Sequence, residues 1–415
     1  MRALWKSRGG RVAAVAVLAL TAAVLAGLVV LWPSGGTTPQ QPRPHDHEAR
    51  VVAVHSVACP TPHQRHCSRA DARFTAGPER GRIGTFDAST AGASAAVGVG
   101  DKVLLAANGL PSGQPVDGIA PYSLTGYQRH GPLLVLACVF VAFVVLLGRG
   151  RGVMALVGLA ISLLIVVKFV VPAILAGDSP ILVAAVGALA VMIVTIVLCH
   201  GAGAQSVAAI LGTTISLAVA MALAATFIAM TNVTGVASDE SQLVLAGRAD
   251  LSLDGLILAG MIIGALGVLD DLTVSQASTV MALRRAAPGK RARALYREAL
   301  EVGRDHVAAT VNTLVLAYVG AALPILLIFA VGGTGFGDAV NIEQVTQQIV
   351  ATLVGSIGLI VAVPVTTALA ALLAVSLPPA DLREHGHSHG TPTPAAERAR
   401  ERIRRRELAH DRSAG

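Results

Sequence analysis

Eight long apolar stretches decide which solvent this chain folds in. A hydrocarbon core about 30 Å thick is crossed by about 20 helical residues rising 1.5 Å each. Stretches of roughly that length lie at Val12–Trp32, Pro132–Leu147, Val153–Leu175, Pro180–Leu198, Ser206–Met230, Leu251–Leu269, Val307–Val331 and Ile349–Leu377. None carries a run of charges. A soluble core helix needs a polar face, and these have none to offer. A mean hydropathy of +0.66 with only 14% charged residues fits the same reading. The expected fold is an all-α polytopic membrane protein with about eight transmembrane helices.

Charge then sets orientation. A formal net charge of +7 would suggest nucleic acid in a soluble protein. In a membrane protein, Lys and Arg gather in cytoplasmic loops, so no nucleic-acid partner is implied. Arg2, Lys6, Arg8 and Arg11 precede the first stretch, Arg149 and Arg151 follow the second, and seven cations from Arg284 to Arg304 follow the sixth. Loops near Asp178, Asp239–Glu240 and Asp338–Glu343 are acidic or neutral. This pattern places both termini in the cytoplasm of a cell-membrane protein. The first stretch is longer than a signal-peptide core of 7–15 residues and lacks a clear cleavage site, which favours an uncleaved anchor.

The organisation follows: a basic N-terminus over 1–11, an anchor over 12–32, a linker over 33–49, an extracytoplasmic β-rich domain over 50–131, a seven-helix membrane domain over 132–378 and a tail over 379–415. Within the β-rich region, Arg50–Ala58 and Val97–Ala107 are the strand-like runs, separated by Gly, Pro and Asp punctuation. Cys59 and Cys67 flank a polar loop; a disulfide, two free thiols or a weak Cys/His site are all open to them. Cys138 and Cys199 read as small hydrophobes. The tail holds the His-rich tract from His385 and a mixed-charge segment, Ala395–Arg412.

Polar groups inside apolar stretches are costly, so they are the functional candidates. Lys168 lies within about a turn of Pro172; it either snorkels to the interface or partners a carboxylate. In the sixth stretch Gly260, Gly264 and Gly267 share a helix face suited to close packing. Asp270 and Asp271 follow, and Asp271, Ser275 and Ser278 share a face at i, i+4 and i+7. This arrangement suits a cation or proton site, or an interfacial carboxylate bonded to its neighbours. Arg304, Asp305, Asn312 and Tyr318 form two stripes near the start of the seventh stretch, with Arg304 at a depth suited to pairing with Asp271. Pro324 and Pro364 each remove a backbone donor and kink their helices. His200, in a tight turn, is a titrating candidate or a plain loop histidine.

Several chemistries find no motif. Gly332-Gly-Thr-Gly-Phe-Gly lacks the strand and helix of a dinucleotide fingerprint, and there is no Walker A or His-Glu-x-x-His sequence. No cofactor, metal or enzymatic activity is expected.

Longer stretches carry a resemblance. Phe169–Pro180, Ala209–Thr213, Gly260–Asp271 with Ser275 and Ser278, Gly303-Arg-Asp305, Asn312–Leu314, Ala317-Tyr318, Glu343, Gly355–Gly358 and Pro364 together resemble the YibE/F family of bacterial multi-pass membrane proteins. The resemblance implies an anchor, an external β-type domain and seven further helices. It puts Asp271 at the family's sixth-span aspartate and Arg304–Asp305 at its Gly-Arg-Asp, while Asp270 and the long tail depart from the pattern. The expected function is permease-like movement of a small solute or ion through the bilayer, with Asp271 and Arg304 as gate. The alternative is a non-transporting scaffold or sensor that binds an envelope protein through the external domain.

Overall fold

The computed structural model describes residues 4–33, 47–57, 67–88, 97–108, 120–236, 252–333 and 335–377. Cys59, the Asp239–Glu240 loop, the His-rich tract and the whole tail lie outside the described residues. Two compact units result, Met1–Ser34 with Met154–Gly415, and Gly35–Val153.

The first unit is helical. Its elements are α1 (Arg8–Val30), the end of α2 (His130–Ile165), α3 (Val171–Ala176), α4 (Pro180–His200), α5 (Ala204–Thr231), α6 (Leu253–Ala286), α7 (Ala292–Val331), a short α8 (Phe336–Val340) and α9 (Glu343–Ser376). Helices α5, α6 and α9 pack mutually, α4 lies against α6, and α7 against α9. In lipid, small residues and van der Waals contact hold helices together. Accordingly, a Cβ placed on Gly212 would lie 2.9 Å from Thr366 Cβ, and one on Gly303 would lie 2.6 Å from Val363 Cγ1. Gln276, fully buried, donates to Ala299 O at 2.6 Å and Thr367 Oγ1 at 2.8 Å, tying α6, α7 and α9 at one point.

Seven helical runs among the described residues are long and apolar enough to cross a membrane. The expected second and third spans lie in one of these, His130–Ala176, which is broken only at Arg149 (φ 50, ψ −134). The residue that leaves helical geometry is Arg149 itself, and the chain returns so closely after it that a Cβ on Gly152 would strike Val144 O. Further on, Pro172 cannot donate to the carbonyl of Lys168, and the helix widens into a π turn over Val166–Val170.

Helices α6 and α7 run well beyond their apolar stretches. The segment expected as a long basic loop is a helical hairpin whose turn lies between Ala286 and Ala292. Leu295 and Ala299, one turn apart, are fully buried there. Arg284, also buried, donates to Pro288 O and, at 2.9 Å, to Lys290 O, which closes the turn.

The second unit holds a closed barrel of β1 (His47–Val57), β2 (Cys67–Phe74), β3 (Ile83–Asp87), β4 (Lys102–Ala107) and β5 (Tyr122–Tyr127), ordered β1-β2-β3-β5-β4. Neighbours are antiparallel except β3 and β5, which pair in parallel at Phe86 and Tyr122. That is the strand order of an OB-fold. Alternate residues fill the interior: Ala49 and Val51, then Ala70, Ala72 and Phe74, then Phe86, then Val103 and Leu105. Gly84 is needed where the Phe74 and Tyr122 rings converge, since its Cβ would lie 2.8 Å from Phe74 Cζ. Tyr122 Oη donates to Glu79 Oε2 at 2.8 Å. Burial, then the Glu79 carboxylate, holds this phenol above its ordinary pKa. Cys67, at the start of β2, is disulfide-bonded.

Candidate functional site

Helices α4 and α6 part at one end to leave a cleft of about 580 Å³. Thr195, Cys199 and His200 line it from α4, and Gly267, Asp270, Asp271, Ser275, Ser278 and Thr279 from α6. Its chemistry centres on Asp270. The buried face of α6 repeats at Leu266, Leu269, Thr273, Ala277 and Val280, and Asp270 stands at its margin. Thr195 Oγ1 donates to Asp270 Oδ2 at 3.1 Å. Asp270 Oδ1 is buried with no hydrogen-bond partner among the described residues. Thr273, one turn on, donates to Asp270 O at 3.1 Å and meets Thr213 of α5 at 2.6 Å, anchoring this part of α6.

Thr195 has one hydroxyl proton and three acceptors in reach: Val191 O at 2.9 Å, Met192 O at 3.1 Å and Asp270 Oδ2. It can serve an ionised Asp270 by donating to it, or a protonated one by accepting while donating to its own helix. The site tolerates either protonation state.

Asp271, the favoured residue of the sequence, is exposed on the cleft rim one position on. Ser275 and Ser278 share the cleft with it. No ion pair joins Asp271 to Arg304 among the described residues. The reason is rotational: α7 packs through Leu295, Ala299 and Gly303, so Arg304 and Asp305 turn about 100° and 200° away from that face. Both are exposed, as is Asn312, whereas Tyr318 is half-buried. Tyr318 Oη comes within 3.6 Å of where a Gly264 Cβ would stand.

The glycine stripe is the clearest departure from expectation. A Cβ on Gly260 or Gly267 would meet nothing within 4 Å, so neither packs closely against a neighbour, and Gly267 lines the cleft. Close packing falls to Gly212 and Gly303 instead. Lys168 is exposed on the π turn, and α7 and α9 continue as helices through Pro324 and Pro364. Among the described residues no three His, Cys, Asp or Glu side chains are grouped to hold a metal ion.

A second cleft, of about 460 Å³, lies at the other end of α6, lined by Asp254, Gly255, Asn232, Thr234 and Ile181 among others. Asp254 and Asp270 are about 24 Å apart along the helix. Between them Leu258, Ile262, Leu266 and Leu269 are buried.

Seven long apolar helices with a polar cleft set among them define a helical membrane protein. A family model described as YibE/F-like protein matches residues 136–376, more than half of the chain, and the chain belongs to that family. The match runs from α2 to the end of α9 and leaves the barrel outside it. No curated protein and no solved structure matches.

Proposed function

We propose that this YibE/F-like protein is a permease that moves a small cation or a proton-coupled solute, with Asp270 as its ionisable coupling group. One observation carries the reading: a carboxylate set between two helices, one oxygen held by Thr195 and the other buried in a cleft without a partner. A carboxylate in an apolar bundle is costly unless it meets a proton, a cation or a donor. Clefts at the two ends of α6, separated by buried leucines and isoleucine, support access from alternate sides. In this reading the His130–Ala176 run crosses twice about its break at Arg149, so the termini and the basic hairpin of α6 and α7 lie in the cytoplasm of a cell-membrane protein, following the positive-inside rule. Gly267 lines the cleft with no side chain to fill it.

The experiment is flux of protons and of Na⁺ or K⁺ into liposomes holding the purified protein, with Asp270→Asn beside the parent. Loss of flux with the fold intact supports the reading. Absence of flux in the parent under every gradient sinks it.

A second reading rests on the barrel, whose strand order is shared by domains that bind oligosaccharides and oligonucleotides. In it the helices anchor a sensor or scaffold that recognises an envelope partner, and Asp270 is a structural clamp.

A further inference from the structure

The barrel carries a row of cations that its own fold does not use. Strand register sets Arg50 of β1 opposite Arg73 of β2 on one side and Lys102 of β4 on the other. All three are exposed. Partners on neighbouring strands lie about 5 Å apart, so the row is about 10 Å long. Like charges directly opposite one another weaken a sheet. The same strands give other polar groups partners, with Arg69 paired to Asp87 at 2.9 Å and His55 hydrogen-bonded to Asp71 at 3.3 Å. Arg50, Arg73 and Lys102 enter no ion pair among the described residues. Glu48, two positions before Arg50, and Asp101, which accepts from Gly98 N at 2.8 Å, form no ion pair with any of the three among the described residues.

Apolar residues flank this row. Ile83, opposite Arg73, is 57% exposed, and Val99, in the turn before Lys102, is 69% exposed. Val52, the next outward residue on β1, is 37% exposed. At the Lys102 end, Gln128 N donates to Lys102 O at 2.9 Å, and α2 starts two residues later at His130. The cation row thus abuts the entrance of a helix long and apolar enough to cross a membrane.

We propose that this barrel face docks on the anionic lipid headgroups of the bilayer that α2 enters. Arg73, Arg50 and Lys102 meet lipid phosphates, and Ile83, Val52 and Val99 sit at the headgroup boundary. A lipid surface offers phosphate and hydrocarbon together, as this face requires; a soluble polyanion offers only charge. Juxtamembrane cations gain from such a surface within about a Debye length, and a barrel tied to α2 by two residues is held within that reach.

The test is amide hydrogen exchange of the full chain in nanodiscs of phosphatidylcholine alone and of an equimolar mixture with phosphatidylglycerol. Exchange in 49–52, 71–74 and 99–104 is expected to slow several-fold in the anionic discs. The variant Arg50→Gln/Arg73→Gln/Lys102→Gln loses that slowing while the strands holding Phe86 and Leu105 stay protected, and Arg50→Lys/Arg73→Lys keeps it. Val99→Asp, on a turn outside the sheet, loses it too and covers the case where the triple variant unfolds. Equal exchange in the two lipids overturns the proposal, as does slowing that survives in the triple variant or in Val99→Asp. So does slowing produced in phosphatidylcholine discs by inorganic polyphosphate and not by phosphatidylglycerol.

Discussion

Thr195 of α4 and Asp270 of α6 share a hydrogen bond of 3.1 Å across the wall of a cleft, and the second oxygen of Asp270 is buried without a partner. Everything proposed for the helical unit turns on that pair. Thr195→Val keeps the shape and removes the donor. A hydrogen bond to a charged group is worth about 1.5–3 kcal/mol, so flux in the variant should fall about tenfold or more, with stability lowered by no more than that amount. A flux equal to the parent's would show that Thr195 does not serve Asp270 during turnover.

Glycine substitutions separate packed positions from open ones. Gly212→Ala forces a methyl against the Thr366 side chain and should lower the melting temperature in detergent through overpacking of about 1–3 kcal/mol. Gly260→Ala and Gly267→Ala meet nothing within 4 Å. They should be neutral, or stabilising by up to about 1 kcal/mol through helix propensity. The opposite ranking would restore the stripe of the sixth span as a packing face.

Gln276→Leu removes both bonds that join α6 to α7 and α9. Leaving the Ala299 carbonyl and the Thr367 hydroxyl without this donor should cost about 1–3 kcal/mol, read as an earlier melting transition. Arg304→Ala, by contrast, breaks no ion pair and should melt with the parent.

The barrel has its own pH signature. The Tyr122 phenol is held above its ordinary pKa in the folded state, so the unfolded chain gives up this proton first. The associated stability is complete below the unfolded value of about 10 and is lost as pH rises from there through the folded value. Tyr122→Phe should flatten that part of the barrel's unfolding profile; an unchanged slope in circular dichroism melts would argue against it.

Sequence reading reached the helices because lipid imposes length and apolarity directly, and each long stretch from Pro180 onward became a helix. Its limits were rotational. Asp271 shares its stripe with Gly260, Gly264 and Ser275, and the spacing alone reads equally as a buried seam or an exposed face. The apolar repeat of Leu266, Leu269, Thr273 and Ala277 held the missing signal: it puts Asp270, not Asp271, beside the packed face. Thr195 carries no mark in sequence, since only the pairing of α4 with α6 brings it to Asp270. In the barrel, β1 and β4 show β-branched and leucine runs. By contrast, β2 hides its inner face in Ala70 and Ala72 between charges, and β3 and β5 are short. Helical extensions around Arg284 and Leu295 were masked by charge, although Leu295 and Ala299 already carry the helical spacing.

Whether Asp270 is the coupling group is decided by paired flux measurements. Proton and monovalent-cation flux would be followed in liposomes holding the parent, Asp270→Asn or Asp271→Asn, each checked for native melting. Asp270→Asn is expected to abolish flux while Asp271→Asn, altered only at the exposed rim, retains most of it. Unchanged flux in folded Asp270→Asn, or its loss in Asp271→Asn alone, would rule out coupling through Asp270.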